Sequence, residues 1–283
     1  MSDQVPAELL EIADALMPGV PLDTARLRKG GMHDVVLIPG VAAVRISQRP
    51  LGTAELPRRT ELLRVIAASG LPFAVPEPLT PVTMFGERAA VAVSWLDGAG
   101  LPEGVGDPER IGELLRALRE LPVTSELRAV LGTPRTCADG HHWSEILAEE
   151  VLPRLPGRWR GEGRRRLEAA LALEPVPDSL IHGDLVGDNV HWSEDGKLVG
   201  VLDWDRAHLF DPAVDAAFMA WHGWDTIRKA VDGDTYRRAQ VWDRTFGVTH
   251  FVAALGGRPL ANIESYVRHI VAWLEQNPDP QSP

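Results

Sequence analysis

An acid behind a strand, an amide five residues later and a second acid fourteen residues further on form the pattern in this chain best suited to chemistry. They lie in Leu180-Ile181-His182-Gly183-Asp184-Leu185-Val186-Gly187-Asp188-Asn189-Val190 and in Leu198-Val199-Gly200-Val201-Leu202-Asp203-Trp204-Asp205. Phosphoryl transfer calls for such a set. One carboxylate must orient and deprotonate an attacking hydroxyl, and further oxygens must hold Mg²⁺ against nucleotide phosphates. Asp184 has the place of the base. Asn189 and Asp203 are the kind of oxygen ligands that Mg²⁺ takes together with water and phosphate. A neutral amide at Asn189 also avoids a second negative charge beside Asp184. His182 is read as a residue that fixes the turn, not as the base.

These residues need a scaffold, and the chain supplies two kinds. The first hundred residues mix strand and helix. Pro6 to Met17 reads as an amphipathic helix, Val35–Ile38 and Val41–Ile46 as a hairpin joined at Pro39-Gly40, Leu56–Ser69 as a helix stopped by Gly70, and Ala89–Trp95 as a buried strand. Leu96 to Gly100 is a Gly-containing hinge. Helices dominate beyond it. Asp107-Pro108-Glu109 is a start signal, with Ile111, Leu114, Leu115 and Leu118 following at helical spacing. More helices are expected over 143–152, 164–173, 211–221, 235–255 and 263–275, around a β-rich interval at 179–204. The expected fold class is α+β, with a small β-rich lobe over 1–97 and a larger, mainly helical lobe over 98–283. Two lobes with a hinge are a common way to build a cleft.

The order His-Gly-Asp, Asn, then Val-Leu-Asp-Trp resembles the catalytic loop and metal-binding acid of protein kinases. In detail it resembles the aminoglycoside phosphotransferase family, and in particular the members that inactivate viomycin and capreomycin. Downstream, Asp211-Pro212-Ala213-Val214-Asp215 matches that family's D-P-x-x-D, whose aspartates brace the catalytic loop. The resemblance covers most of the chain but is strong only over 180–215. It implies a protein-kinase-like two-lobed fold, Mg²⁺, and ATP or GTP as co-substrate. Lys29-Gly30-Gly31 before the hairpin is similar to the family's nucleotide loop, where glycines let backbone N–H groups approach phosphate. Arg45 stands where kinases place the lysine that pairs with phosphates, and a guanidinium can fork onto two phosphate oxygens. The acid that usually fixes this cation is missing from its expected place, where Arg58-Arg59 stand instead. Glu61 is the nearest candidate. The strand around Val93 and Trp95 is the implied contact with the base.

An acceptor is harder to read. Asp205, Trp221, Trp224 and Asp225 are the candidate substrate residues, with His222, Trp242 and Asp243 nearby, because aromatic faces and acids attract cations. The nine tryptophans outnumber two tyrosines and six phenylalanines. Formal net charge is −11, with nine basic and eleven acidic side chains in the first 97 residues and twenty against twenty-nine in the rest. An acidic second part suits a polar, cationic small molecule. No basic cluster stands clear of acids except Arg164-Arg165-Arg166, read as a solvated helix face, so nucleic acid is not an expected partner. A membrane is not one either, since no apolar run reaches the ~18 residues needed to span a bilayer. The one cysteine, Cys137, rules out an internal disulfide and a Cys-based zinc site. The first twenty residues lack a basic, apolar leader, so a cytoplasmic protein is expected. The function expected is transfer of a γ-phosphoryl group to a hydroxyl of an antibiotic-like natural product. The alternatives are a metabolic kinase of choline, amino alcohols or sugars, and a metal-dependent phosphoesterase built on His182, Asp184, Asp203, Asp205 and His208. Acceptor, choice of ATP or GTP and oligomeric state are left open by the sequence.

Overall fold

The computed structural model describes residues 5–131, 137–138, 141–255 and 263–278. Along the chain run α1 (Ala7–Leu16), β1 (Arg26–Lys29), β2 (His33–Ile38), β3 (Ala42–Ser47), α2 (Pro50–Ala67), β4 (Thr83–Phe85), β5 (Arg88–Ser94), α3 (Pro108–Glu120) and α4 (Ser125–Leu131). Then come β6 (Cys137–Ala138), β7 (His141–His142), α5 (Trp143–Glu145), α6 (Gly157–Leu171), β8 (Ser179–Ile181), β9 (Val190–Trp192), β10 (Leu198–Val201) and β11 (His208–Phe210). The remaining helices are α7 (Ala213–Phe218), α8 (Trp224–Ala230), α9 (Gly233–Arg244), α10 (Val248–Leu255) and α11 (Ile263–Gln276). This is an α+β protein of two compact units. Neither unit is one continuous piece of chain. The first joins Met1–Gly100 with Thr124–Val130 and Asp188–Asp205; the second joins Leu101–Val123, Leu131–Gly187 and Arg206–Pro283.

In the first unit five antiparallel strands run in the order β1-β2-β3-β5-β4. Alternation along β3 sends Ala42, Val44 and Ile46 to one face, where they meet Val36, Ile38, Ala90 and Ala92. Helix α1 closes that face with Leu9, Ile12, Ala13 and Leu16, an apolar stripe at helical spacing, with Leu10 only partly buried beside it. Residues one position out of step, Arg45 on β3 and Val91 opposite it on β5, point to the other face. Helix α2 packs against β3 and β5. It begins at Pro50, six residues before the expected start, and carries Pro57 within it. The hairpin β9–β10 belongs to this unit because two segments hold it. Ala74 bonds to Val199 and Val201, and Ala99 exchanges two bonds with Trp192.

The second unit is mostly helical. Asp107 caps α3 by accepting from Glu109 N and Arg110 N, as its sequence announces. The β-rich interval divides: β8 pairs with β11, while β9 pairs with β10 in the other unit. The single helix expected over 235–255 is two helices. Phe246 (φ 64°) and Gly247 (φ 73°) are left-handed, which ends α9 and turns the chain into α10. An apolar periodicity runs through this break, which is why spacing alone predicts one helix. Arg166, expected on a solvated face, is buried on Glu162, whereas Arg164 and Arg165 are exposed. No helix among the described residues is long and apolar enough to cross a membrane. Cys137 lies in β6.

Candidate active site

Strand β8 delivers the chain into His182-Gly183-Asp184, and the acid Asp215 of α7 sets this turn. Its carboxylate accepts from His182 N at 2.7 Å and from Gly183 N at 2.9 Å, so both buried donors are satisfied by one side chain. His182, fully buried, accepts from Asp184 N at 3.2 Å through Nδ1, which leaves the ring proton on Nε2. Gly183 has φ 75°, and a side chain there would meet the Arg206 carbonyl oxygen at 2.8 Å. His182 Nδ1 thus bonds to the backbone of its own turn. Asp184 emerges from this frame half-buried, 3.6 Å from Arg206 Nε. Burial pushes its carboxyl up from the usual range, and Arg206 opposes that shift.

Asp211, the other acid of D-P-x-x-D, works one layer further out. It accepts from Ala213 N at 3.0 Å at the start of α7, and from Trp242 Nε1 at 2.6 Å and the Arg238 guanidinium on α9. So Asp215 holds the loop, and Asp211 holds the helices that hold Asp215. Asp215 is pushed up to about 7 by burial, with the like charge of Asp184 adding, against two N–H groups that favour the ion. A carboxyl raised in the folded state contributes most below the ordinary aspartate value of about 3.9, and that contribution fades as pH rises through about 7. Asp215→Asn turns one accepting oxygen into a donor and is expected to lower stability by ~1–3 kcal/mol. The gap in melting temperature to wild type should narrow between pH 4.5 and pH 7.5; a gap that widens would contradict this account.

The candidate metal and nucleotide groups lie in the first unit. Leu202 N bonds to Asn189 O at 2.8 Å, extending the β9–β10 ladder so that Asn189 sits opposite the residue before Asp203. Asp203 is exposed and left-handed (φ 55°), a conformation aspartate tolerates better than most residues. The donor set of Asn189 and Asp203 is all oxygen with a single charge, which fits Mg²⁺ and its preference for phosphate and water as remaining ligands. Gly30 and Gly31 form the exposed turn between β1 and β2, where Gly30 N donates to His33 O at 2.9 Å. Val93 is buried on β5 beside Ala43, and half-buried Trp95 donates from Nε1 to Asp97 at 3.0 Å. Asp188 is exposed and paired with Arg28 at 2.6 Å.

Arg45 stands on a central strand with its side chain 13% exposed, and Nη2 donates to Asp205 Oδ2 at 2.7 Å. Glu61 is not its partner. That acid is half-exposed on α2 and pairs with Arg64 at 2.7 Å, one turn along its own helix. Asp205, expected at the acceptor, also accepts from Arg59 Nη1 at 2.5 Å. Burial alone would raise Asp205; Arg45 and Arg59 outweigh it and hold the carboxyl well below the ordinary range. The left-handed Asp203 starts a turn over 204–206 that carries Asp205.

The tryptophans separate. Trp242 stacks on Phe251 and meets Trp143 edge-on, so it is core. Trp224 packs edge-on against Tyr236, and exposed Asp225 pairs with Arg228 at 3.1 Å. Buried His222 bonds through Nδ1 to Val105 O, and Asp243 is raised by burial. Trp221 differs: the residue is 40% exposed, with Nε1 donating to Leu101 O at 3.2 Å. Its indole lies so close to Gly187 that any side chain there would collide with it. Gly187 is three residues beyond Asp184, so the loop carries an aromatic neighbour that helical spacing alone did not single out.

Comparison with known proteins agrees with this architecture. The model of the phosphotransferase enzyme family matches residues 25–248, and the chain belongs to that family. It is similar to viomycin phosphotransferase of Streptomyces vinaceus, 30% identical over 239 residues that cover 78% of this chain and 81% of the relative. In structure it resembles aminoglycoside 2'-phosphotransferase-IIIa in its GDP complex (TM-score 0.76, 18% identity, covering 96% and 98% of the two chains). A macrolide 2'-phosphotransferase of type I superposes with a TM-score of 0.70 at 20% identity over 97% and 99%. The fold is thus the protein-kinase-like one.

Proposed function

We propose that this phosphotransferase moves the γ-phosphoryl group of ATP or GTP to a hydroxyl of an antibiotic-like, polar and cationic natural product. The observation that carries the reading is the turn around Asp184: a half-buried carboxylate on a backbone pinned by Asp215, in a chain of this family. Asp184 orients the acceptor hydroxyl and takes its proton as the oxygen attacks phosphorus. Its raised carboxyl is a better base than an ordinary aspartate. Arg45 pairs with nucleotide phosphates, the Gly30-Gly31 turn offers them backbone N–H groups, and the strand at Val93 and Trp95 meets the base. Mg²⁺ on Asn189 and Asp203 would neutralise charge on the triphosphate. Residues 1–97 then serve the nucleotide and 98–283 the acceptor, apart from the hairpin that carries Asn189 and Asp203.

The viomycin relative, together with solved neighbours holding kanamycin or streptomycin, supports an antibiotic acceptor. The acidic second part of the sequence agrees with a cationic one. Exposed Trp221 beside the loop offers that acceptor an aromatic face. Trp224 and Asp225 are engaged elsewhere and have a weaker claim. A cytoplasmic site of action, where ATP and GTP are at hand, goes with this reading. The two-metal phosphoesterase alternative gains nothing: among the described residues no group of three or more His, Cys, Asp or Glu side chains is arranged to hold an ion.

Arg206 gives the reading a pH test. Replacing it by Gln removes the cation 3.6 Å from Asp184 that opposes the burial shift, so the base should titrate higher. The acid limb of the kcat profile is expected to move to higher pH in Arg206→Gln. A limb that stays in place or moves lower removes Asp184 from the role of base.

A further inference from the structure

The cation of β3 in a kinase-like site must be held still while it touches phosphate. Here the helix that usually provides an acid for this, α2, turns a second arginine inward instead. Arg59 is 3% exposed, and its Nη1 meets the same carboxylate oxygen, Asp205 Oδ2, that receives Arg45 Nη2. Asp205 is itself only 15% exposed. Behind Arg59 stands Glu55, 3.9 Å from its Nε and 2.5 Å from Arg58 Nη2, so charge alternates from α2 to β3 as Arg58, Glu55, Arg59, Asp205, Arg45. His33 at the start of β2 completes the cradle. Its Nδ1 is 3.3 Å from Arg45 Nη2 and accepts, because burial and Arg45 bring the imidazole down to about 4 and keep it neutral. Arg45 Nη2 thus has two acceptors, and the guanidinium has further N–H groups for a ligand.

We propose that Asp205 is a positioning residue for nucleotide binding: its carboxylate ties β3 and α2 to the turn that carries Asp203, in the place of a helix-borne acid. The proposal rests on the phosphotransferase reading and deepens it. It also moves Asp205 away from the acceptor, where the sequence put it. One carboxylate facing two guanidiniums leaves net positive charge, which suits a phosphate ligand. Asp205 therefore supports the nucleotide and does not compete with it.

The test is titration of Mg-ATP and Mg-GTP onto the full chain without acceptor, followed by steady-state kinetics. Asp205→Asn is expected to raise the nucleotide Kd and KM roughly tenfold and to leave the acceptor KM unchanged. Arg59→Gln should act in the same direction with a smaller effect and stands in if Asp205→Asn fails to fold. Glu61→Gln, which leaves the cluster intact, should bind nucleotide as wild type does. Unchanged or tighter nucleotide binding in both cluster variants overturns the proposal, as does a rise confined to the acceptor KM. Wild-type protein that binds neither nucleotide overturns the phosphotransferase reading, and the proposal with it.

Discussion

Asp184→Asn is expected to lose turnover by ~10²–10⁴ while binding nucleotide almost as well as wild type. The amide keeps the size of the side chain and can orient a hydroxyl, but it cannot take the proton. Folding should not suffer. Asp184 is a half-buried carboxylate whose burial already opposes its charge, and that charge presses on Asp215 as well. Removing it relieves both, so the melting temperature should be equal to or above that of wild type. An inactive variant that is also unstable would point to a structural role. An active one would show that another group accepts the proton.

Asp203→Asn should fail differently. Residue 203 is left-handed, and asparagine accepts that conformation about as readily as aspartate, so the turn survives and only the charge is lost. Alanine would add backbone strain of ~1–2 kcal/mol and blur the result. The expected outcome is weaker Mg²⁺-dependent nucleotide binding, on the order of 10–100-fold, with turnover reduced at least as much. Raising Mg²⁺ should restore part of the loss in Asp203→Asn and none of it in Asp184→Asn. Equal effects of both substitutions on binding and turnover, insensitive to Mg²⁺, would contradict the separate roles given to them.

The site was legible where it is local. A strand end, His-Gly-Asp and an asparagine five residues on form one turn and the start of a hairpin, so their spacing carries their geometry. Asp215 came from the resemblance alone, through D-P-x-x-D; in the structure its carboxylate accepts from His182 N and Gly183 N. What could not be read is the pairing of distant charges. Asp205 meets Arg45 from 160 positions away; helical spacing puts Arg59 on the face of Leu56, Leu63 and Ile66 and Glu61 off it, but nothing local says that Arg59 finds Asp205 there. Aromatic residues posed the same problem. Trp221 has the more apolar neighbours in sequence (Met219, Ala220) and Trp242 the more polar ones (Gln240, Asp243), yet Trp221 is 40% exposed and Trp242 4%. Their difference comes from what packs against each ring, Gly187 in one case and Phe251 with Trp143 in the other. The helix over 235–255 failed for a third reason: two left-handed residues interrupt a periodicity that is otherwise continuous.

The reaction itself is open to one direct measurement. Purified protein with Mg²⁺ and either ATP or GTP is incubated with a panel of viomycin-type peptides, aminoglycosides and macrolides, and each compound is weighed by mass spectrometry. The prediction is that one compound class gains a single phosphate, that the gain needs nucleotide, and that Asp184→Asn abolishes it. Triphosphate binding without transfer to any hydroxyl compound, or phosphate gain undiminished in Asp184→Asn, would contradict it.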